Sequence, residues 1–249
     1  MLDRNKIYCV DVLEGLRMLD DNSIDVIITS PPYNKKGLNH DSDIKGKWIY
    51  NIAYNGDVNV DNLPEDEYQQ WQIDILSECY RVLKENGSMF YNHKNRIWKG
   101  HGCIVSPYQW LFKTPFKIRQ EIIWDRKSTH NVNIGKYLPT TELIFWLAKS
   151  NSPDFYRFRD TEFKKEVWDF PFITNSEHPA PFPIKLPDNI LHCIPNDNHD
   201  KVVLDPFMGS GTVAVSAIKN GFDYIGFDKF QQYVDMTNKR INDFILSEK

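Results

Sequence analysis

Short apolar runs alternate with amphipathic stretches along this chain. Ile24–Thr29 (IDVIIT) is continuous and β-branched, which predicts a buried strand. Glu65–Leu83 carries Tyr68, Trp71, Ile75, Cys79 and Val82 at helical spacing, so one helix face is apolar. Asn86-Gly87 is expected to stop that helix before a strand over Ser88–Asn92. Ile118–Trp124 and Glu142–Ala148 are further strand candidates. The last third reads as a helix over Pro187–Ile194, a strand at Val202–Asp205, a helix at Thr212–Lys219, a strand at Tyr224–Asp228 and a final helix from Gln231 to Ile245. This alternation predicts an α/β domain, a parallel sheet wrapped by helices on both faces.

Two stretches break the rhythm. Lys35–Leu63 is long and polar, with Trp48, Tyr50 and Tyr54 embedded, and loops of that length in a compact domain are usually functional or mobile. Ser150–Glu177 mixes aromatics with Arg157, Arg159, Lys164 and Lys165. It fits equally a nucleic-acid-contacting insertion, with cations for phosphates and aromatics for bases, and an ordinary solvated loop.

The 249 residues suit one large domain with an insertion. A hydrophobic share of 41% and a charged share of 26% are those of a soluble globular protein. No apolar run approaches the ~20 residues that span a bilayer, and MLDRNKIYCV lacks a signal-peptide layout, so no membrane partner is expected and the cytosol, or a nucleus in a eukaryotic host, is the expected location. Cys9, Cys79, Cys103 and Cys193 are scattered without metal spacing, which supports neither a disulfide framework nor a metal site. The net charge of −4 argues against a non-specific nucleic-acid coat but not against a protein that meets DNA on one face.

Two turns carry the chemistry. In the first, Val202–Asp205 leads into Pro206, Phe207, Met208, Gly209, Ser210, Gly211 and Thr212, where a helix starts. Glycines permit positive φ and close backbone approach, and the helix start offers free N–H groups, as at nucleotide-like cofactor sites in open α/β sheets. The next strand ends in Asp228, a carboxylate placed to hold ribose hydroxyls. The spacing is not GxGxxG and no P-loop lysine follows, which weakens NAD and ATP readings. A cationic cofactor tolerates Asp205, whereas a pyrophosphate is repelled by it. The second turn, Ser30-Pro31-Pro32-Tyr33, follows the strand Ile24–Thr29. Its prolines fix the backbone and lack N–H groups, which leaves carbonyl acceptors beside an aromatic ring, a setting for a planar amine. A rigid turn with Tyr33 packed on the core is the bland alternative.

Together the turns resemble the β-class DNA amino-methyltransferase family, whose catalytic motif (D/N/S)PP(Y/F) is matched by Ser30–Tyr33 and whose cofactor motif is matched by Asp205–Thr212. The catalytic motif comes first, as in that class. Asp11 matches the family acid near the cofactor's adenine, His178–Pro183 the segment ahead of the cofactor strand, and Val167–Pro171 a short element before it. The resemblance covers nearly the whole chain. It implies a Rossmann-like methyltransferase sheet with helices on both faces and a small inserted target-recognition region at about 150–177, between a catalytic half (about 1–149) and a cofactor half (about 178–249). It further implies S-adenosylmethionine as donor and double-stranded DNA as substrate, with a base extruded from the duplex into the site. A homodimer and a cognate restriction endonuclease are partners that it leaves open.

In the mechanism so implied, Ser30 Oγ and the Pro31 carbonyl accept the hydrogens of the target amino group and free its lone pair, so positioning and electrostatics do most of the work. Tyr33 stacks on the base through its ring, with no role for the hydroxyl. Ser30, together with Phe182-Pro183 and Leu186, favours N4 of cytosine over N6 of adenine within that family. Methylation of RNA or of a protein glutamine, and a non-catalytic DNA- or cofactor-binding subunit, are the competing readings. The motif order speaks against the first, the intact turns against the second.

Overall fold

The computed structural model describes residues 2–34, 63–98, 103–129, 137–155, 164–173 and 182–247. Nearly all of the Lys35–Leu63 stretch lies outside them, as do Arg157, Arg159 and His178–Pro181.

Ten strands are described: β1 (Lys6–Cys9), β2 (Ile24–Thr29), β3 (Leu83–His93), β4 (Arg96–Trp98), β5 (Cys103–Val105), β6 (Lys117–Asp125), β7 (Thr141–Ala148), β8 (Val167–Asp169), β9 (Val202–Asp205) and β10 (Asp223–Asp228). The helices are α1 (Val12–Arg17), α2 (Glu65–Val82), α3 (Tyr108–Leu111), α4 (Lys185–Leu191), α5 (Thr212–Lys219) and α6 (Gln231–Ser247). Eight strands form one sheet in the order β1-β10-β9-β2-β3-β7-β6-β8, and β4 pairs with β5 apart from it. From β1 to β3 neighbours are parallel. The expected all-parallel sheet is corrected at β7, which runs antiparallel to both β3 and β6. No helix is described between β6 and β7, so no crossover there returns the chain to the parallel direction.

Alternation along β2 explains the layers. Val26 and Ile28 face a core with Leu186 and Ile190 of α4, Val213 and Ala217 of α5, and Val234 and Ile241 of α6. Ile27 faces the opposite core with Leu16 of α1, Ile75 and Cys79 of α2, and Trp110 of α3. Helices therefore cover both faces, as the Rossmann-like reading requires.

The β9–α5 unit falls where the sequence placed it, while other boundaries differ for local reasons. Helix α2 stops at Val82, and Asn86-Gly87 lies inside β3, where the register jumps from Ile24↔Leu83 to Val26↔Ser88. The turn signal there marks a bulge. At Gly87 a Cβ would stand 2.7 Å from the Asp25 carbonyl, which only glycine avoids. Helix α4 begins two residues before Pro187, because proline costs no hydrogen bond within a first turn. Within Ser150–Glu177, β8 extends the sheet edge beside β6, and Trp168 and Phe170 are buried in the core. Lys164 and Lys165 are exposed.

Candidate active site

The ends of β1, β10, β9, β2 and β3 point the same way, and four of the predicted site positions lie at that edge. Asp11 follows β1, Asp228 ends β10, Asp205 ends β9 and Ser30 follows β2. Strand β7 runs the other way, so its first residues, Thr141 and Glu142, meet the same edge.

Ser30 and Pro32 are half-buried, and Pro31 and Tyr33 are buried. The hydroxyls of Ser30 and Tyr33 are 2.8 Å apart. Tyr33 donates to Glu142 Oε2 at 3.1 Å, and Asn92 Nδ2 donates to the Tyr33 oxygen at 3.0 Å and to Glu142 Oε2 at 3.2 Å. Glu142 Oε1 is ion-paired with Arg126 at 3.0 Å. Burial first, and then the charge of Glu142, hold the Tyr33 phenol well above its ordinary ionisation range. The ring centroids of Tyr33 and His93 are 4.5 Å apart.

One of the expected carbonyl acceptors is taken within the protein. Pro32 accepts the Tyr68 hydroxyl at 2.6 Å, and that oxygen lies 2.8 Å from His93 Nε2. A carbonyl only accepts, so the Tyr68 hydrogen goes to Pro32 and the Tyr68 oxygen takes its hydrogen from His93 Nε2, while His93 Nδ1 lies 2.8 Å from the Lys94 nitrogen and 2.9 Å from its carbonyl oxygen. No hydrogen bond among the described residues engages the Pro31 carbonyl. Asn34 (φ 53°) exchanges two side-chain bonds of 2.9 Å with the backbone of Leu63, which ties the turn to the approach of α2.

The glycine turn is built differently. Gly209 and Gly211 adopt positive φ (51° and 77°), and Gly211 caps α5 from the left-handed region. A Cβ on Gly211 would meet Thr237 Cγ2 at 2.6 Å. From α6, Thr237 donates to the Gly209 carbonyl at 2.8 Å, and Arg240 donates to the Ser210 carbonyl at 2.9 Å and to Thr212 Oγ1 at 3.0 Å. Asp228 accepts the N–H groups of Gly209 (3.0 Å) and Phe230 (2.9 Å). Asp205 accepts the Phe207 N–H at 3.0 Å and Thr29 Oγ1 at 2.8 Å, which joins β9 to the strand bearing Ser30. Burial pushes Asp205 up to about 7 and Asp228 up to about 6, against the pull of those N–H donors. Pro206 is buried, and Phe207 meets Trp71 of α2 edge-on at 5.7 Å. Asp11 caps α1 by accepting the Leu13 N–H at 2.9 Å. Three acids around a glycine cradle suit a cationic sulfonium and ribose hydroxyls, and oppose a pyrophosphate.

Several participants had no role in the sequence reading. Glu142 is the second residue of the apolar strand β7, and Asn92 sits in β3; an acid at the mouth of a buried strand was the available signal. His93 and Arg96 are 0% and 4% exposed. Arg96 forms a two-pronged pair with Glu65 at 2.8 and 2.7 Å, so it has no reach to DNA. Leu186 is a core residue at 1% exposure and Phe182 packs on the same core, so their bearing on base choice is not by contact with a base.

Known proteins resemble the chain over most of its length. A type II methyltransferase, M.BglII of Bacillus subtilis, is 27% identical over 93% of this chain and 67% of its own. DNA adenine methyltransferase YhdJ of Escherichia coli (strain K12) is 25% identical over 93% of this chain and 81% of its own. The solved PvuII DNA methyltransferase, which is cytosine-N4-specific, shares the fold with a TM-score of 0.75 at 19% identity, covering 96% of this chain and 90% of that one. Residues 24–239, which hold both turns, match the DNA methylase family of N6 and N4 methyltransferases, whose methyl donor is S-adenosylmethionine, and the chain belongs to that family.

Proposed function

We propose that this protein methylates an exocyclic amino group of DNA, N4 of cytosine, at the Ser30–Tyr33 turn. The observation that carries the reading is adjacency: the acceptor turn after β2 and the glycine turn after β9 lie on neighbouring strands, joined by the Thr29–Asp205 hydrogen bond of 2.8 Å. S-adenosylmethionine, when bound, supplies the electrophilic methyl. The Gly209–Thr212 turn holds it with Asp205, Pro206 and Phe207, while Asp228 offers its remaining lone pairs to the ribose and Asp11 lies toward the adenine. Ser30 Oγ and the Pro31 carbonyl accept the two amino hydrogens and draw the nitrogen toward a tetrahedral shape. Tyr33, backed by His93, offers its ring to an extruded base, where stacking is worth roughly 1–3 kcal/mol. No covalent link between chain and base is needed.

The choice of cytosine rests on Ser30 in place of an acidic or amide residue and on the fold shared with the PvuII enzyme. N6 of adenine is the second reading, favoured by the likeness to YhdJ. By analogy with M.BglII, a type II methyltransferase by name, the chain works on double-stranded DNA, as one domain whose target-recognition residues include the 150–177 region. The test is to express it in a methylation-free host, digest the DNA to nucleosides and weigh them. N4-methylcytosine is expected; N6-methyladenine alone would transfer the assignment to adenine, and neither product would remove the activity.

A further inference from the structure

Among the described residues, the acceptor-only carboxylate of Glu142 sets the arrangement of the hydrogens around Ser30 and Tyr33. Glu142, ion-paired with Arg126 through Oε1, is a carboxylate and has only lone pairs to offer. Tyr33 lies 3.1 Å from its Oε2 and has one hydrogen, which therefore goes to Glu142. The phenol stays neutral under burial and the neighbouring charge, so that hydrogen is always present. With its hydrogen committed, the Tyr33 oxygen can only accept. Ser30 Oγ at 2.8 Å must then be the donor of the bond between them. Asn92 Nδ2 faces the same phenol oxygen and carboxylate as a donor, and reaches Ser30 Oγ at 3.4 Å, so that one of the serine lone pairs is turned toward it. Ser30 has a single hydrogen, and it points into the protein. What Oγ presents to the site is a lone pair.

This direction matters for an amine substrate. A serine hydroxyl aimed outward would donate to the target nitrogen and occupy the lone pair that must attack. Aimed inward, it accepts an amino hydrogen and leaves the lone pair available.

We propose that Glu142 is a positioning residue that sets the direction of the Ser30–Tyr33–Glu142 hydrogen bonds, so that Ser30 meets the target amino group only as an acceptor. The inference rests on the methyl-transfer reading above and adds to it a residue 109 positions from Tyr33 in sequence. Arg126, held by its own bond of 2.8 Å to the Pro139 carbonyl, keeps the carboxylate in place.

Glu142→Gln and Glu142→Asp separate direction from packing. Gln keeps the shape but brings an amide that donates to Tyr33 and lets the hydroxyls turn outward. Asp is shorter but still accepts only. Single-turnover methyl transfer should fall about 100-fold in Gln, the size of one mis-set electrostatic contact at a transition state, and less in Asp. Affinity for S-adenosylmethionine and for DNA should stay within about threefold. In a Tyr33→Phe background, Gln should add little further loss, because its route to Ser30 is gone. Asp doing worse than Gln, or losses that multiply in the double variant, would overturn the proposal. A second readout does not depend on turnover: in protein labelled with 13C at tyrosine Cζ, the Tyr33 signal should move in Glu142→Gln and remain near wild type in Glu142→Asp. An unmoved signal in Gln also overturns it. A wild-type protein inactive on DNA would count against the proposed reaction, and the Tyr33 signal would still decide the direction of the bonds.

Discussion

The two turns at the sheet edge are held in opposite ways. The Ser30–Tyr33 turn is fixed by side chains from two strands and a helix: Asn92 of β3, Glu142 of β7 and Tyr68 of α2 all reach the turn that follows β2. The Gly209–Thr212 turn takes its shape from its backbone, with positive φ at two glycines, and outside side chains grip only its peptide groups: Asp228 holds the Gly209 N–H, and Thr237 and Arg240 of α6 hold the Gly209 and Ser210 carbonyls. A side-chain lattice distributes its stability over many members and tunes the direction of each hydrogen bond. A backbone cradle concentrates it in a few dihedral angles. The first suits a task in which hydrogens must point correctly, the second one in which a cofactor must approach closely.

The difference predicts how each turn fails. Gly211→Val should have the largest effect, because valine combines a disfavoured φ, costing about 1–3 kcal/mol, with a contact 2.6 Å from Thr237. Cofactor affinity by calorimetry should fall by more than about 100-fold, the loss that ~3 kcal/mol implies. Ser30→Ala should leave that affinity unchanged while transfer falls. Retained binding in Gly211→Val would show that the backbone is not what builds the cradle.

Next in size is the effect of pH, which should touch only the cofactor turn. Asp205 and Asp228, raised to about 7 and about 6, ionise in the range where a cationic cofactor gains from their charge. Affinity should therefore rise from pH 5 to pH 8, with protons released on binding. For the free protein the sign is reversed. The folded state retains protons that the unfolded chain, with aspartate near ~3.9, has already lost. Its stability contribution from these groups therefore falls as pH rises from about 4 through about 7. Affinity that is flat with pH, or no proton release in buffers of different ionisation enthalpy, would take both acids out of the account.

The smallest effect belongs to Asp11→Ala. Losing the cap of α1 should cost about 1 kcal/mol in a thermal melt. Cofactor affinity should also drop a few-fold, within the worth of one hydrogen bond. A lower melting temperature with unchanged affinity would leave Asp11 as a cap alone.

The same contrast explains what the sequence made legible. The cofactor turn is local: strand, glycines and helix start fall within Val202–Lys219, so short-range rules locate it. Of the catalytic turn, only the prolines and their neighbours could be read. Its partners lie at a distance that no periodicity spans, and Glu142 and Asn92 are brought to it by the pairing of β3 with β7. Antiparallel β7 was hidden for a similar reason, since an apolar run such as Thr141–Ala148 reads alike in either direction. Strand β8 is three residues long, too short to show alternation. Asn86-Gly87 was correctly a turn signal, but its meaning depended on Asp25 lying beneath it.

The place of β2 between β9 and β3 also has a consequence during synthesis. A ribosome makes β2 and β3 early, yet the open side of β2 awaits β9, and the Thr29–Asp205 bond spans 176 residues. Until β9 emerges, the growing polypeptide carries a bare, largely apolar strand edge, Val26 and Ile27 included, of the kind that invites wrong pairing. Assembly of the site thus comes last, and contacts so distant make it slow. The nascent chain has its catalytic turn written but no cradle to serve it, and methylation competence appears all at once, when the last strands slot in beside the first.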